Sequence, residues 1–81
     1  MKAYVLLNTE LGKEPEVIKA IQGAKEIKKI YSLYGIYDII VEVEADTMER
    51  VKEVVFSRIR RLDNVKSTIT LITYGEPILN P

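Results

Sequence analysis

The residues with the clearest potential for chemistry form one short segment, Tyr34-Gly35-Ile36-Tyr37-Asp38. The segment contains a carboxylate, a glycine with unshielded backbone amides and two phenol rings. Together these groups suit a small cationic or zwitterionic ligand, because anion, amide donors and aromatic faces are all available to it. The same residues also fit a simple turn in which the Asp38 side chain accepts a hydrogen bond from a local backbone N–H. Spacing alone favours the turn, since short Gly/Asp turns are commoner than binding sites.

Other kinds of chemistry are limited by composition. The 81 residues include no Cys and no His, which removes disulfides, thiol nucleophiles, imidazole bases and the usual zinc or iron ligands. An enzyme would need a base from Asp or Glu with a shifted pKa, which a sequence does not reveal. We therefore predict no enzymatic activity, no metal and no cofactor.

Charge and hydropathy restrict the partners. Twelve Lys and Arg balance twelve Asp and Glu, so no net field attracts the chain to nucleic acid or to an anionic membrane. Apolar runs extend over only a few residues, which predicts neither a membrane span nor a signal peptide. We expect a cytoplasmic protein with no membrane association.

The chemical segment lies between two stretches of strand composition, Ile27 to Leu33 and Ile39 to Ala45. Two such stretches around a glycine predict a β-hairpin, with the lysine-containing first strand at a sheet edge. The second strand alternates clearly between two sets of residues. One set is Ile39, Val41, Val43 and Ala45, and the other is Asp38, Ile40, Glu42 and Glu44.

One helix is predicted before this hairpin and another after it. Pro15 suits the first turn of a helix from about Glu14 to about Gly23. The spacing of Asp46 and Glu49 is that of a capping box at the start of a second helix. Its apolar stripe recurs at steps of three and four. The stripe residues are Met48, Val51, Val55, Ile59 and Leu62, and the charged residues that include Arg50 are predicted to form a solvated surface.

The element order is β-α-β-β-α-β, starting with a strand at Lys2 to Asn8 and ending with one at Val65 to Tyr74. This order predicts an α+β, ferredoxin-like fold with a four-stranded antiparallel sheet and two helices on one face. Several strands have apolar residues on both faces, so we expect a second copy to cover the other face in a dimer. We assign residues 1–75 to a ligand-sensing domain and residues 76–81 to a C-terminal tail.

Two motifs at this separation resemble a known family. They are Gly35-x-Tyr37-Asp38 on the hairpin and Val65-x-x-Thr68-x-Thr70 on the last strand. The chain from Lys2 to about Tyr74 is similar to the effector-binding domain of the Lrp/AsnC transcription regulators, named for their responses to leucine and asparagine. This domain is also called RAM, for regulation of amino-acid metabolism.

The resemblance implies a function and an assembly. Such domains pair through their sheets into dimers. The dimers assemble into rings, which are octamers or decamers, with a free amino acid held between neighbouring dimers. The ligand-binding residues implied by the resemblance are Gly35, Tyr37, Asp38, Thr68 and Thr70. A carboxylate suits the α-ammonium of an amino acid, while backbone amides and hydroxyls suit its α-carboxylate.

The sequence departs from the family pattern in two ways. Asn64 stands where the family commonly has Gly, and Asn tolerates the same left-handed backbone. We also expect the protein to lack the helix-turn-helix that precedes this domain in full regulators. We therefore expect a stand-alone domain without direct DNA binding, with full-length Lrp/AsnC-type regulators as candidate partners. Two alternatives stay open, a small dimeric α+β-barrel enzyme and a purely structural oligomerisation module.

Overall fold

The computed structural model describes residues 1–81 and has the predicted order of strands and helices. A π-helical segment, Phe56–Arg60, continues the second helix. The remaining elements are β1 Lys2–Thr9, α1 Glu14–Ile21, β2 Ile27–Ser32, β3 Ile39–Glu44, α2 Met48–Val55 and β4 Val65–Ile72.

The four strands form one sheet in the order β2-β3-β1-β4, and every neighbouring pair is antiparallel. This topology confirms the ferredoxin-like α+β fold. It also confirms that β2 is an edge strand. β4 is the other edge, so both edges have backbone groups without a strand partner.

The helices cover one face of the sheet, where the core lies. Alternate residues of β1 and β3 are fully buried on this face, as the alternation in β3 predicted. The helices contribute residues spaced three or four apart, which is the spacing of one helix face. The twelve buried core residues are Ala3, Val5, Leu7, Val17, Ile21, Ile39, Val41, Val43, Val51, Val54, Val55 and Ile59. No helix is both long enough and apolar enough to span a membrane.

The opposite face, here called the outer face, has no helix over it. The strand register places four apolar side chains in one row across the whole sheet, and next to it a mixed row. The first row is Tyr31, Ile40, Leu6 and Ile69, and the second is Lys29, Glu42, Tyr4 and Leu71. Tyr31, Ile69 and Leu71 are each about half exposed, so the single chain leaves an apolar patch in water.

The start of α2 differs from the sequence prediction. Thr47 is the N-cap, and its hydroxyl accepts a hydrogen bond from the Arg50 backbone N–H at 3.1 Å. The predicted capping box between Asp46 and Glu49 is therefore wrong by one residue. Thr is also a good N-cap, so two adjacent residues compete for the position and the chain path selects Thr47.

Candidate functional site

The candidate site is built on the six-residue connection between β2 and β3, residues 33–38. The Leu33 backbone N–H donates to the Asp38 carbonyl oxygen at 2.9 Å and closes this loop. Gly35 has a φ of +145°, a conformation that side chains other than glycine rarely adopt. No atom lies within 4 Å of the position where a Cβ would stand. The backbone at Gly35 is therefore open to an approaching ligand or protein.

Asp38 fastens this loop to β1. Its backbone N–H donates to the Leu7 carbonyl oxygen at 3.0 Å. Its Oδ2 accepts a hydrogen bond from the buried Thr9 backbone N–H at 2.8 Å, and the Thr9 hydroxyl lies 3.5 Å away. This carboxylate thus spans 29 residues of sequence rather than satisfying a local turn. Oδ1 accepts no hydrogen bond within the chain and is available to another group.

The aromatic residues of the loop differ in exposure. Tyr37 is partly buried, whereas Tyr34 is fully exposed and Ile36 is 86% exposed. The tip of the loop therefore extends into solvent with two apolar side chains. A hollow of about 640 Å³ and another of about 520 Å³ lie away from the loop. In a single chain, the loop offers binding groups but no enclosing walls.

The two threonines implied by the resemblance lie elsewhere. Thr68 and Thr70 on β4 pair with Leu7 and Val5, whose side chains are buried on the helix-covered face. Paired residues of antiparallel strands share a face, so both threonines lie on that face and are partly buried. β1 lies between β4 and β3, so the backbones of β4 and β3 are two strand spacings, about 10 Å, apart. Gly35, Tyr37 and Asp38 thus belong to one loop, whereas Thr68 and Thr70 lie on β4, on the other side of β1 from β3.

The structure contains one charged cluster that the sequence did not indicate. The Glu26 carboxylate is buried, and its Oε2 lies 2.8 Å from both Nε and Nη2 of Arg50. The hydrogen bond from Arg50 lowers the pKa of Glu26 below its ordinary value, while the same bond raises the pKa of Arg50. Arg50 also binds the exposed carboxylate of Glu53. The cluster joins the start of β2 to α2, which is a structural role.

A metal site is not part of this arrangement. No group of three or more His, Cys, Asp and Glu side chains is placed to hold a metal ion. The functional groups of the loop are a carboxylate, backbone amides and phenol rings. Such groups can form hydrogen bonds with a small charged molecule.

The fold is that of the ligand-binding domain of a class of transcription regulators. The Lrp/AsnC ligand binding domain family matches residues 2–81, and the chain belongs to this family. This confirms the resemblance carried by the hairpin and last-strand motifs.

Among curated relatives, the regulatory protein AsnC of Haemophilus influenzae is 33% identical over 64 residues, which is 79% of this chain and 43% of that protein. The chain thus spans less than half the length of this relative. Two crystal structures are similar to this chain over most of its length and most of their own. FFRP-DM1 is 36% identical with a TM-score of 0.85, over 90% of this chain and 97% of that one. The hypothetical protein PHS023 from Pyrococcus horikoshii is also 36% identical with a TM-score of 0.85, over 93% of this chain and 90% of that one.

Proposed function

We propose that this chain is an amino-acid-sensing regulatory domain whose assembly with other copies depends on the bound amino acid. The observation that carries the proposal is the position of Asp38. Its Oδ2 is fixed by Thr9, while its Oδ1 has no partner within the chain, and the same loop contains the open backbone of Gly35. A fixed carboxylate next to unshielded amides suits a zwitterion.

The two ends of an amino acid require different groups. Its α-ammonium is a strong donor and pairs with Asp38 Oδ1, while its α-carboxylate accepts from backbone N–H groups near Gly35. Tyr37 supplies an adjacent ring. Thr68 and Thr70 lie at the open edge of β4, so in this proposal they come from a neighbouring copy.

Two surfaces support assembly. The outer face has an apolar row across all four strands, and a second copy packed sheet-to-sheet would cover it. The loop tip, with exposed Tyr34 and Ile36, then remains available for contact between dimers. A ring of dimers built in this way would enclose the loop and give the site the walls that a single chain lacks.

The regulatory part of the proposal rests on the relatives. The AsnC proteins are regulatory proteins, and a regulator of the same fold from Neisseria meningitidis, NMB0573, was crystallised as a complex with L-Met. Since positive and negative charges balance, we propose that this domain does not bind DNA by itself and acts through full-length regulators. Catalysis is not part of the proposal, because the loop has no His or Cys.

The test is a panel of the twenty common amino acids. Thermal shift identifies ligands, calorimetric titration measures their affinity, and light scattering follows the assembly at each ligand concentration. We expect selective binding of one or a few amino acids together with a change in assembly. Binding of none of them, with an unchanged particle size, would contradict the proposal and leave an oligomerisation module as the function.

A further inference from the structure

The C-terminal segment Tyr74–Pro81 includes the predicted tail of residues 76–81 and is called the tail from here on; it has no hydrogen-bond partner within the chain. The last backbone hydrogen bond of the sheet is from the Thr73 N–H to the Lys2 carbonyl oxygen, and no hydrogen bond involves a later residue. Nevertheless, the tail contains two large apolar side chains. Ile78 is 99% exposed and Leu79 is 82% exposed. Such exposure of adjacent aliphatic side chains is unfavourable in water.

The tail begins beside the outer face. Gly75, with a φ of +72°, bends the chain after β4. The following residues then line a hollow of about 640 Å³ together with Lys2 and Tyr4. Lys2 and Tyr4 belong to the outer face, because their register partners Glu44 and Glu42 alternate with the buried residues of β3. Any protein surface that packs on the outer face at this end of the sheet will therefore lie next to the tail.

The prolines of the tail favour an extended arm. Pro77 and Pro81 flank Ile78 and Leu79, and each proline fixes φ and lacks an N–H donor. The tail is thus poorly suited to extend the ladder between β4 and β1. A stiff, extended segment loses less conformational entropy when it becomes ordered against another surface.

We infer that the tail of each copy lies against the second copy of a sheet-to-sheet dimer and buries Ile78 and Leu79 there. The inference rests on the dimer in the proposed function and adds the tail to its interface. A second copy is the occupant that the geometry favours, because the hollow that the tail lines opens on the same outer face. In a twofold dimer the contact occurs twice, so four aliphatic side chains leave water.

The test compares the double variant Ile78→Asp/Leu79→Asp with the wild type by sedimentation equilibrium over a dilution series. Burial of side chains of this size predicts a dimer Kd that is raised roughly tenfold or more. Leu11→Asp is the matched control, because Leu11 is 99% exposed in the loop after β1 and should leave the Kd unchanged. Deletion of residues 77–81 should reproduce the effect of the double variant. Circular dichroism should show native secondary structure in all variants, since these side chains pack on nothing in the single chain.

A second readout locates the tail directly. The chain has no cysteine, so Leu79→Cys provides one site for an environment-sensitive dye. We expect its emission to shift to the blue as concentration rises through the dimer Kd. If the wild type is a dimer, and Leu71→Lys separates it but the tail variants leave its Kd unchanged, the tail inference is wrong while the dimer stands. Loss of only the larger assemblies in the tail variants would also overturn the inference. A monomeric wild type would overturn the dimer and the tail contact together.

Discussion

The Asp38 carboxylate accepts a hydrogen bond from the Thr9 backbone N–H through Oδ2 at 2.8 Å, and its Oδ1 accepts none within the chain. One side chain therefore has a structural half and a free half. The structural half holds the β2–β3 loop against the end of β1. The free half, Oδ1, can accept a hydrogen bond from a ligand without competing for that contact.

Substitution of Asp38 separates these two roles. In Asp38→Asn the amide oxygen still accepts from the Thr9 N–H, so we expect a melting temperature close to that of the wild type. Loss of the charge should weaken amino-acid binding by about tenfold to a hundredfold, since a charge-assisted hydrogen bond contributes about 1.5–3 kcal/mol. Asp38→Ala should weaken binding to a similar extent and also destabilise the fold by about 1–3 kcal/mol, because it leaves the buried Thr9 N–H unpaired.

Calorimetric titration with the best-binding amino acid measures the first effect, and chemical denaturation measures the second. Equal affinity in the wild type and in Asp38→Asn would show that the carboxylate does not bind the ligand. Equal stability of the Asn and Ala variants would show that the Thr9 contact contributes little.

The periodicity of the strands predicted which residues of β4 share a face but not which face the helices cover. Leu71 could have pointed either way from sequence. The register with β1 decides this, because Leu71 pairs with Tyr4 and Thr70 pairs with the buried Val5. The same register places Thr68 and Thr70 on the helix-covered face, opposite Leu7 and Val5. The family motif identified the type of site, whereas the distance between its parts depends on strand pairing.

The Glu26–Arg50 pair was not predictable from local pattern. The two residues are 24 positions apart, and neither forms a motif with its neighbours. Arg50 is still about half exposed, as a solvated helix residue should be, but its guanidinium binds a buried carboxylate. Periodicity describes which side of a helix faces the sheet, and it contains no information on which residue of another element lies beside it.

Charge on the outer face should separate the proposed dimer. Leu71 is 53% exposed in the single chain, so Leu71→Lys should leave the fold intact. In a sheet-to-sheet dimer the same lysine would be buried without a partner, which is strongly unfavourable. We expect light scattering at micromolar concentration to give a monomer mass. Leu11→Lys, a fully exposed leucine away from this face, should keep the wild-type mass. A Leu71→Lys protein that remains dimeric would contradict the assignment of the interface.

Polar substitution at the loop tip should act on a different level of assembly. Tyr34 and Ile36 are exposed and lie outside the sheet, so Tyr34→Ser/Ile36→Ser should preserve the fold and the dimer. Because the proposal has neighbouring dimers meet at this loop, the double variant should shift rings toward dimers in light scattering. The double variant should also lower the affinity for the amino acid, since the walls of the site come from the neighbouring dimer. Rings of wild-type size and affinity would place the contact between dimers elsewhere.

The stability of the fold should depend on pH through Glu26. Its pKa in the folded state is below the ordinary value of 4.5, because the carboxylate accepts the hydrogen bond from Arg50. A depressed pKa means that the unfolded chain binds a proton more readily than the folded chain. The stabilisation is therefore fully present well above pH 4.5 and is lost as the pH falls through the lower folded-state value.

Glu26→Gln should be less stable than the wild type at pH 7, and the difference should shrink toward pH 3. Glu53→Gln is the matched control, because it changes a carboxylate on the same arginine that is exposed to water, and its effect should be smaller. Denaturation at fixed protein concentration from pH 7 to pH 3 measures both differences. A gap between Glu26→Gln and the wild type that stays constant over this range would show that the ion pair is not the source of the stabilisation.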